Sequence, residues 1–154
     1  MHLRSVLAAF LFILPGCTPL GLWVYEEPTI EITDITLSDA RAAEYPVRIA
    51  LQLSNVNDFE VSIEKVQLLL VLNDSPVVDR ELSTAASFPA RDKQTVQIGV
   101  AWRDVGPGLR PEGLAVGMQR YSVVGSAMLR TPIGQRRIRF ARAGSQDFEG
   151  EPAS

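Results

Sequence analysis

Few of the side chains that enzymes use for nucleophilic or metal chemistry occur in this chain. His2 is the only histidine and Cys17 the only cysteine among the 154 residues. Both lie at the N-terminus, so the rest of the chain lacks a histidine base for a Ser-His-Asp or Cys-His system and lacks the ligands of His-based zinc or iron sites. The remaining candidates are carboxylates and two lysines, Lys65 and Lys93. We therefore expect no enzyme activity, no cofactor and no metal site.

Acidic residues leave one enzyme class open, a hydrolase that uses a pair of carboxylates. The densest acidic groups are Glu26-Glu27 and the C-terminal Asp147, Glu149 and Glu151, which we interpret as solvated surface charge. The formal net charge is −3, which gives no broad electrostatic attraction toward nucleic acid or anionic membranes. We expect no nucleic-acid partner.

Residues 1–16 have the order of a bacterial export signal. Arg4 is basic, and an apolar stretch follows over residues 5–14. As a helix this stretch would be about 15 Å long, half of the roughly 30 Å hydrocarbon core of a bilayer. The pattern therefore favours a cleaved signal peptide over a transmembrane helix.

The end of this segment resembles the lipobox of bacterial lipoproteins. Leu14, Gly16 and Cys17 match that pattern, whereas Pro15 departs from its usual small or β-branched residue. The resemblance implies cleavage before Cys17, acylation of Cys17 and a lipid anchor in a membrane. Thr18 after the cysteine implies the outer membrane, facing the periplasm, if the host is Gram-negative. The alternative is an incidental cysteine beside an ordinary cleavage site, which would leave a secreted protein with one free thiol.

From residue 28 onward, apolar residues recur with a period of two, which is typical of half-buried antiparallel strands. An almost continuous apolar run at 66–72 predicts a central strand. We predict an all-β domain, an antiparallel sandwich of about seven strands like those of immunoglobulin and fibronectin III domains. The alternating runs lie at 47–53, 96–102, 121–129 and 138–140.

Two strands change phase midway and predict β-bulges, because one inserted residue turns every later side chain to the other face. The changes follow Thr33-Asp34 and Glu64-Lys65. Turn-forming residues separate the strands, and Asn73 to Pro76 predicts a hairpin that leads into Val77-Val78.

Asn55 and Asn57 follow a predicted strand, in the sequence Ser54-Asn55-Val56-Asn57-Asp58. Asparagine hydrogen-bonds nearby backbone and tolerates left-handed conformation, so we interpret both as residues of a structural turn. The alternative is a Ca²⁺ loop with Asp58, but no bidentate carboxylate stands at a suitable spacing.

The order of these blocks resembles the water-stress and hypersensitive-response (WHy) domain, also called the type 2 late embryogenesis abundant (LEA type 2) domain. Asn55 and Asn57 match the two asparagines of its Asn-Pro-Asn motif, and Val56 replaces the proline. The resemblance covers about residues 28–144. It implies a β-sandwich without a known cofactor or catalytic residues, and a role in desiccation or other stress tolerance. Further matching blocks lie at 63–73, 88–90, 95–100, 121–125, 131–134 and at Phe140.

Arginine is concentrated near the C-terminus. If Ile138 and Phe140 face the core, Arg137 and Arg139 share the outer face of their strand. We interpret them as a solvated face that discourages edge-to-edge aggregation. The alternative is a patch that binds an anionic surface such as lipid headgroups or lipopolysaccharide. The whole cluster comprises Arg136, Arg137, Arg139 and Arg142.

These patterns divide the chain into a signal peptide (1–16), an acylated cysteine with a tether (17–28), a WHy-like sandwich (29–144) and a flexible tail (145–154). We expect a stress-protective lipoprotein of the cell envelope. The alternative is an anchored module that docks another envelope protein or a secretion or assembly complex through an exposed sheet edge. A third class, a binder of a small apolar molecule in the sandwich core, has no specific residue in its favour.

Overall fold

The computed structural model describes residues 25–37, 44–106 and 117–148, and most of them lie in seven strands. No described residue belongs to a helix long and apolar enough to cross a membrane. A short 3-10 turn over Trp102–Asp104 follows the fifth strand. The strands are β1 (Thr29–Leu37), β2 (Val47–Ser54), β3 (Val61–Leu72), β4 (Ser75–Phe88), β5 (Lys93–Val100), β6 (Gly117–Thr131) and β7 (Gly134–Phe148).

The strands form two antiparallel sheets, which confirms the predicted all-β sandwich. One sheet has the order β1-β2-β5 and the other the order β4-β3-β6-β7. The inner faces of both sheets contribute to one apolar core, whose buried hydrophobic residues lie between Ile30 and Phe148. Residues 18–154 therefore contain every described strand and the whole described core.

Alternation of apolar residues is reproduced as alternation of burial. Val47, Ile49, Leu51 and Leu53 of β2 are all fully buried. β3 lies between β4 and β6, as its continuous apolar run predicted. Some apolar residues of that run face away from the core, and Leu69 lies on the surface for this reason.

Both predicted phase changes are confirmed as irregularities in the strand register. The pairing of β1 with β2 shifts between Ile32 and Asp34. The pairing of β3 with β4 and with β6 shifts between Ile63 and Lys65. These bulges allow one strand to keep apolar side chains on the core face along its full length.

The predicted hairpin between β3 and β4 is also confirmed. Asn73 and Asp74 have φ angles of 45° and 68°, which is the left-handed conformation of a two-residue type I′ turn. β4 continues much farther than Val77-Val78, to Phe88. Its second half is built from small and polar residues, so hydrophobic periodicity did not reveal it.

The domain extends past both boundaries that the sequence predicted. Tyr25, placed in the tether, packs against the core, and Pro28 is buried. β7 does not end at residue 144 before a flexible tail, because residues 145–148 pair with β6 and Phe148 is buried. A single apolar side chain at the end of a polar stretch gave little periodic signal. The predicted signal peptide, Cys17 and residues 149–154 lie outside the described residues.

Gly125 of β6 is required by the packing of an aromatic ring. It pairs with Phe140 of β7, and a Cβ atom on Gly125 would lie 2.5 Å from the Phe140 ring and 2.8 Å from the Gln67 carbonyl oxygen. Both distances are too short for carbon contacts, so a larger residue must displace the ring or the β3 backbone.

We expect Gly125→Ala to lower the free energy of unfolding by about 1–3 kcal/mol, because the added methyl group overpacks the core. Urea denaturation measures this change. Ser126→Ala is the matched control, since Ser126 is the next residue and faces outward. Equal stability of the two variants would contradict this account of Gly125.

Candidate functional site

Asn55 is buried at one end of the sandwich, and its side chain joins two loops. Its Nδ2 donates to the carbonyl oxygen of Phe59 at 2.7 Å and to that of Pro89 at 2.9 Å. Its Oδ1 accepts from the backbone N–H of Asn57 at 3.1 Å. The last bond is an Asx turn, the conformation for which asparagine is suited. One side chain thus ties the β2–β3 loop to the end of β4.

Asn57 extends the same network to the start of the domain. Its Nδ2 donates to the carbonyl oxygen of Glu26 at 2.7 Å, and its Oδ1 accepts from the backbone N–H of Glu26 at 2.9 Å. The amide side chain therefore pairs with a backbone residue as a neighbouring strand would. A further bond of 3.2 Å runs from Asn57 Nδ2 to Asn55 Oδ1. We call the two side chains the asparagine pair.

Backbone hydrogen bonds bring the β4–β5 turn to the asparagine pair. The N–H of Asn55 donates to the carbonyl oxygen of Asp92 at 2.8 Å, and the N–H of Arg91 donates to that of Asn57 at 3.0 Å. Arg91 also bonds the Asp58 carboxylate, and this hydrogen bond and charge lower the pKa of Asp58 below its ordinary value. Three segments that are distant in sequence meet at this point.

The arrangement does not favour the calcium alternative. The side-chain oxygens of Asn55 and Asn57 accept hydrogen bonds within the protein, and the Asp58 carboxylate is paired with Arg91. A cation site needs several oxygens aimed at one point. Within the described ranges no group of three or more His, Cys, Asp or Glu side chains could hold a metal ion.

The four arginines near the C-terminus have different surroundings. The Arg136 guanidinium lies 5.5 Å from the centre of the Tyr25 ring. Arg142 Nη1 donates to the carbonyl oxygens of Ile32 and Thr33 at 2.8 and 2.9 Å. Arg142 thus bonds β7 to the bulge of β1, across the side of the sandwich.

Arg137 and Arg139 share the outer face of the four-stranded sheet, and neither has an ion-pair or hydrogen-bond partner among the described residues. Beside them, Leu69 and Val124 are cross-strand neighbours with relative exposures of 37% and 50%. A shallow depression of about 300 Å³ lies over these four residues, with Asp79 at its opposite rim. We call this surface the arginine face.

A larger cleft, of about 690 Å³, opens between the edges of β4 and β5. We call it the β4–β5 cleft. The sequence does not predict this cleft, because it depends on two strand edges whose separation is set by the packing of the sheets. Its lining includes Tyr45, Arg48, Glu81, Leu82, Ser83, Thr84, Ile98, Gly99 and Ala101.

Comparison with solved structures shows similarity in fold. The solution structure of a protein described as late embryogenesis abundant (LEA), At2g46140.1, matches with a TM-score of 0.61 and 9% identity, over 80% of this chain and 72% of that chain. This chain has a LEA-like fold. The solution structure of AT1g01470 from Arabidopsis thaliana matches with a TM-score of 0.58 and 15% identity, over 77% of this chain and 80% of that chain.

At these identities the likeness concerns the fold alone, and it confirms the fold that the WHy resemblance implied. No protein-family model matches the sequence, and no curated protein matches it either.

We expect Asn57→Ala to lower the free energy of unfolding by about 1–3 kcal/mol, because it leaves the N–H and the carbonyl oxygen of Glu26 without their side-chain partners. Val56→Ala is the control from the same turn, since Val56 is 44% exposed.

Amide hydrogen exchange locates the effect. Exchange at Glu26 should accelerate in Asn57→Ala and stay unchanged in Val56→Ala. If the Glu26 amide exchanges equally in both variants, the asparagine pair does not hold the start of the domain.

Proposed function

We propose that this chain is a non-enzymatic lipoprotein of the cell envelope whose LEA-like domain protects other proteins during desiccation or related stress. The observation that carries the proposal is the LEA-like fold, with one structural neighbour described as a LEA protein. The WHy resemblance of the sequence, including Asn55 and Asn57, supports the same function.

The chemistry of the interior supports a role without catalysis. The buried polar side chains among the described residues are Asn55, Asn57, Gln119 and Thr131, and none of these is titratable. A hydrolase with a raised carboxyl pKa would place an acid in an apolar, shielded environment. No carboxylate of the described ranges is buried: most are exposed, Glu64, Asp92 and Asp104 are half-buried, and several are paired with arginine or lysine.

The lipobox resemblance at Leu14, Gly16 and Cys17 supports the envelope part of this proposal. Acylation of Cys17 would anchor the chain, in the outer membrane facing the periplasm if the host is Gram-negative. Stable anchoring needs more than one acyl chain or a second membrane contact. The arginine face is suited to the second contact, because two unpaired guanidinium groups stand beside exposed Leu69 and Val124.

We expect residues 18–154 to preserve the activity of a drying-sensitive enzyme several-fold better than equal masses of albumin or of an unrelated β-sandwich. Enzyme activity recovered after drying and rehydration is the measurement. Recovery no higher than with either control would count against the protective role.

In cells, deletion of the gene should reduce survival of drying and osmotic shock, and the intact gene should restore it.

We expect the double variant Arg137→Gln/Arg139→Gln of residues 18–154 to bind phosphatidylglycerol-rich vesicles less tightly than the unaltered chain. At about 1 kcal/mol per basic residue near an anionic surface, the loss is roughly 30-fold at low salt. Vesicle co-sedimentation measures it, with phosphatidylcholine vesicles as the uncharged reference.

The matched control is Arg91→Gln/Arg120→Gln, which removes the same charge from exposed arginines that are paired with Asp58 and Asp74. Equal weakening by both double variants would mean that net charge, and not the arginine face, governs binding.

A further inference from the structure

The outer edge of β4 already accepts a short piece of added strand. Val78 forms an isolated antiparallel bridge with Val105. Beside it, the N–H of Gly106 donates to the carbonyl oxygen of Val77 at 2.7 Å. This pairing shows which backbone groups of β4 point away from β3.

The same edge continues without a partner into the β4–β5 cleft. In this bridge the backbone groups of the residues that flank Val78 point away from β3. The pairing with β3 is regular from Val78 to Ser83, so backbone groups of Asp79, Glu81 and Ser83 all point outward. Neither Glu81 nor Ser83 has an outer backbone partner within the described ranges. Glu81 and Ser83 both line the cleft. An unpaired edge of this kind is a template for an incoming strand.

The walls of the cleft suit side chains that alternate between apolar and polar. Leu82 and Ile98 are apolar residues at the junction of the cleft with the core. The Tyr45 ring covers Gly99, where a Cβ atom would lie 2.6 Å from the ring, and 37% of Tyr45 remains exposed. The lining therefore offers an aliphatic and an aromatic surface next to unpaired backbone groups.

Charge adds a preference for an acidic side chain, since Arg103 and Asp104, which also line the cleft, pair with each other at 3.6 Å. Arg48 lines the cleft and has no ion-pair partner among the described residues, whereas Glu81 is paired with Lys65 at 2.7 Å. An acidic side chain on the bound segment would therefore find an unpaired cation at the β2 and β5 side of the cleft.

We propose that the β4–β5 cleft binds an extended segment of another polypeptide, which adds to β4 as an antiparallel strand at Glu81 and Ser83. The segment is alternately apolar and polar, as in a partly unfolded β-rich protein. Main-chain hydrogen bonds provide affinity with little dependence on sequence, and the pockets for alternate side chains provide selection. This inference rests on the proposed protective function and names the class of client, an exposed strand.

The first test uses residues 18–154 and a synthetic peptide of alternating valine and threonine with glutamate at each end. Two further peptides carry N-methyl groups on the valines or on the threonines, which removes every second N–H donor. We expect the unmethylated peptide to slow amide exchange at Glu81 and Ser83 at least tenfold. One of the two methylated peptides should bind at least tenfold more weakly.

The second test changes the edge itself. Ser83→Pro removes an N–H that faces away from β3, and proline is tolerated at such positions of edge strands. Ser83→Ala keeps the N–H and is the matched control. We expect peptide affinity at least tenfold lower in Ser83→Pro and unchanged in Ser83→Ala. If Ser83→Pro does not fold, the methylated peptides decide the question on the unaltered chain.

Three results would overturn the inference. They are equal binding of all three peptides, slowing of amide exchange only at residues outside the cleft, and equal peptide affinity of folded Ser83→Pro and Ser83→Ala. The drying assay separates this inference from the proposed function. Full protection by a Ser83→Pro chain that no longer binds peptide leaves the protective role and removes the cleft from it. If the chain binds the peptide but does not preserve the enzyme during drying, the cleft remains a binding site and the protective role is lost.

Discussion

The amide groups of Asn55 and Asn57 determine how one end of the sandwich is built. Both are almost completely buried, with exposures of 1% and 2%. A buried amide without partners would cost several kcal/mol, so the surrounding backbone must supply its donors and acceptors. The start of the domain, the β2–β3 loop and the β4–β5 turn supply them. Three connections that would otherwise be independent loops therefore form one fixed structure.

The two open sides of the sandwich differ in the hydrogen bonding of their strand edges. Between β1 and β7, Arg142 and Gln146 donate side-chain hydrogen bonds to carbonyl oxygens of β1, including one of 3.1 Å from Gln146 to Ile35. A guanidinium and an amide thus occupy acceptors that a neighbouring strand would use. Between β4 and β5, the described residues supply only the short pairing at Val105 and Gly106. This asymmetry leaves the side between β4 and β5 as the more accessible of the two.

Local patterns carried most of the fold. Burial at Val47, Ile49 and Leu51 follows from the two-residue period of a strand, and the left-handed turn at Asn73-Asp74 follows from residue type. The bulges could be predicted from sequence because a change in the phase of the apolar alternation involves only neighbouring residues. The role of Asn55 as a turn residue was readable for the same reason.

Features that depend on contacts between distant segments could not be predicted from the sequence. Nothing near Asn57 indicates that its partner is the backbone of Glu26, and nothing near Arg142 indicates the bulge of β1. The sequence separated Arg137 and Arg139, which share one face, from Arg136 and Arg142. It did not show that Arg136 lies over the Tyr25 ring or that Arg142 bonds the backbone of β1. The β4–β5 cleft needs both sheets in place before it exists at all.

The pairing of Glu26 with Asn57 also has a mechanical consequence. A force applied through the chain that precedes Tyr25 reaches these two hydrogen bonds before it reaches the ladder between β1 and β2. The load is then shared with the β4–β5 turn through Asn55, instead of peeling β1 from its edge one residue at a time. Under tension, the segment around Glu26 detaches first, and every strand of the sandwich is still paired after that step.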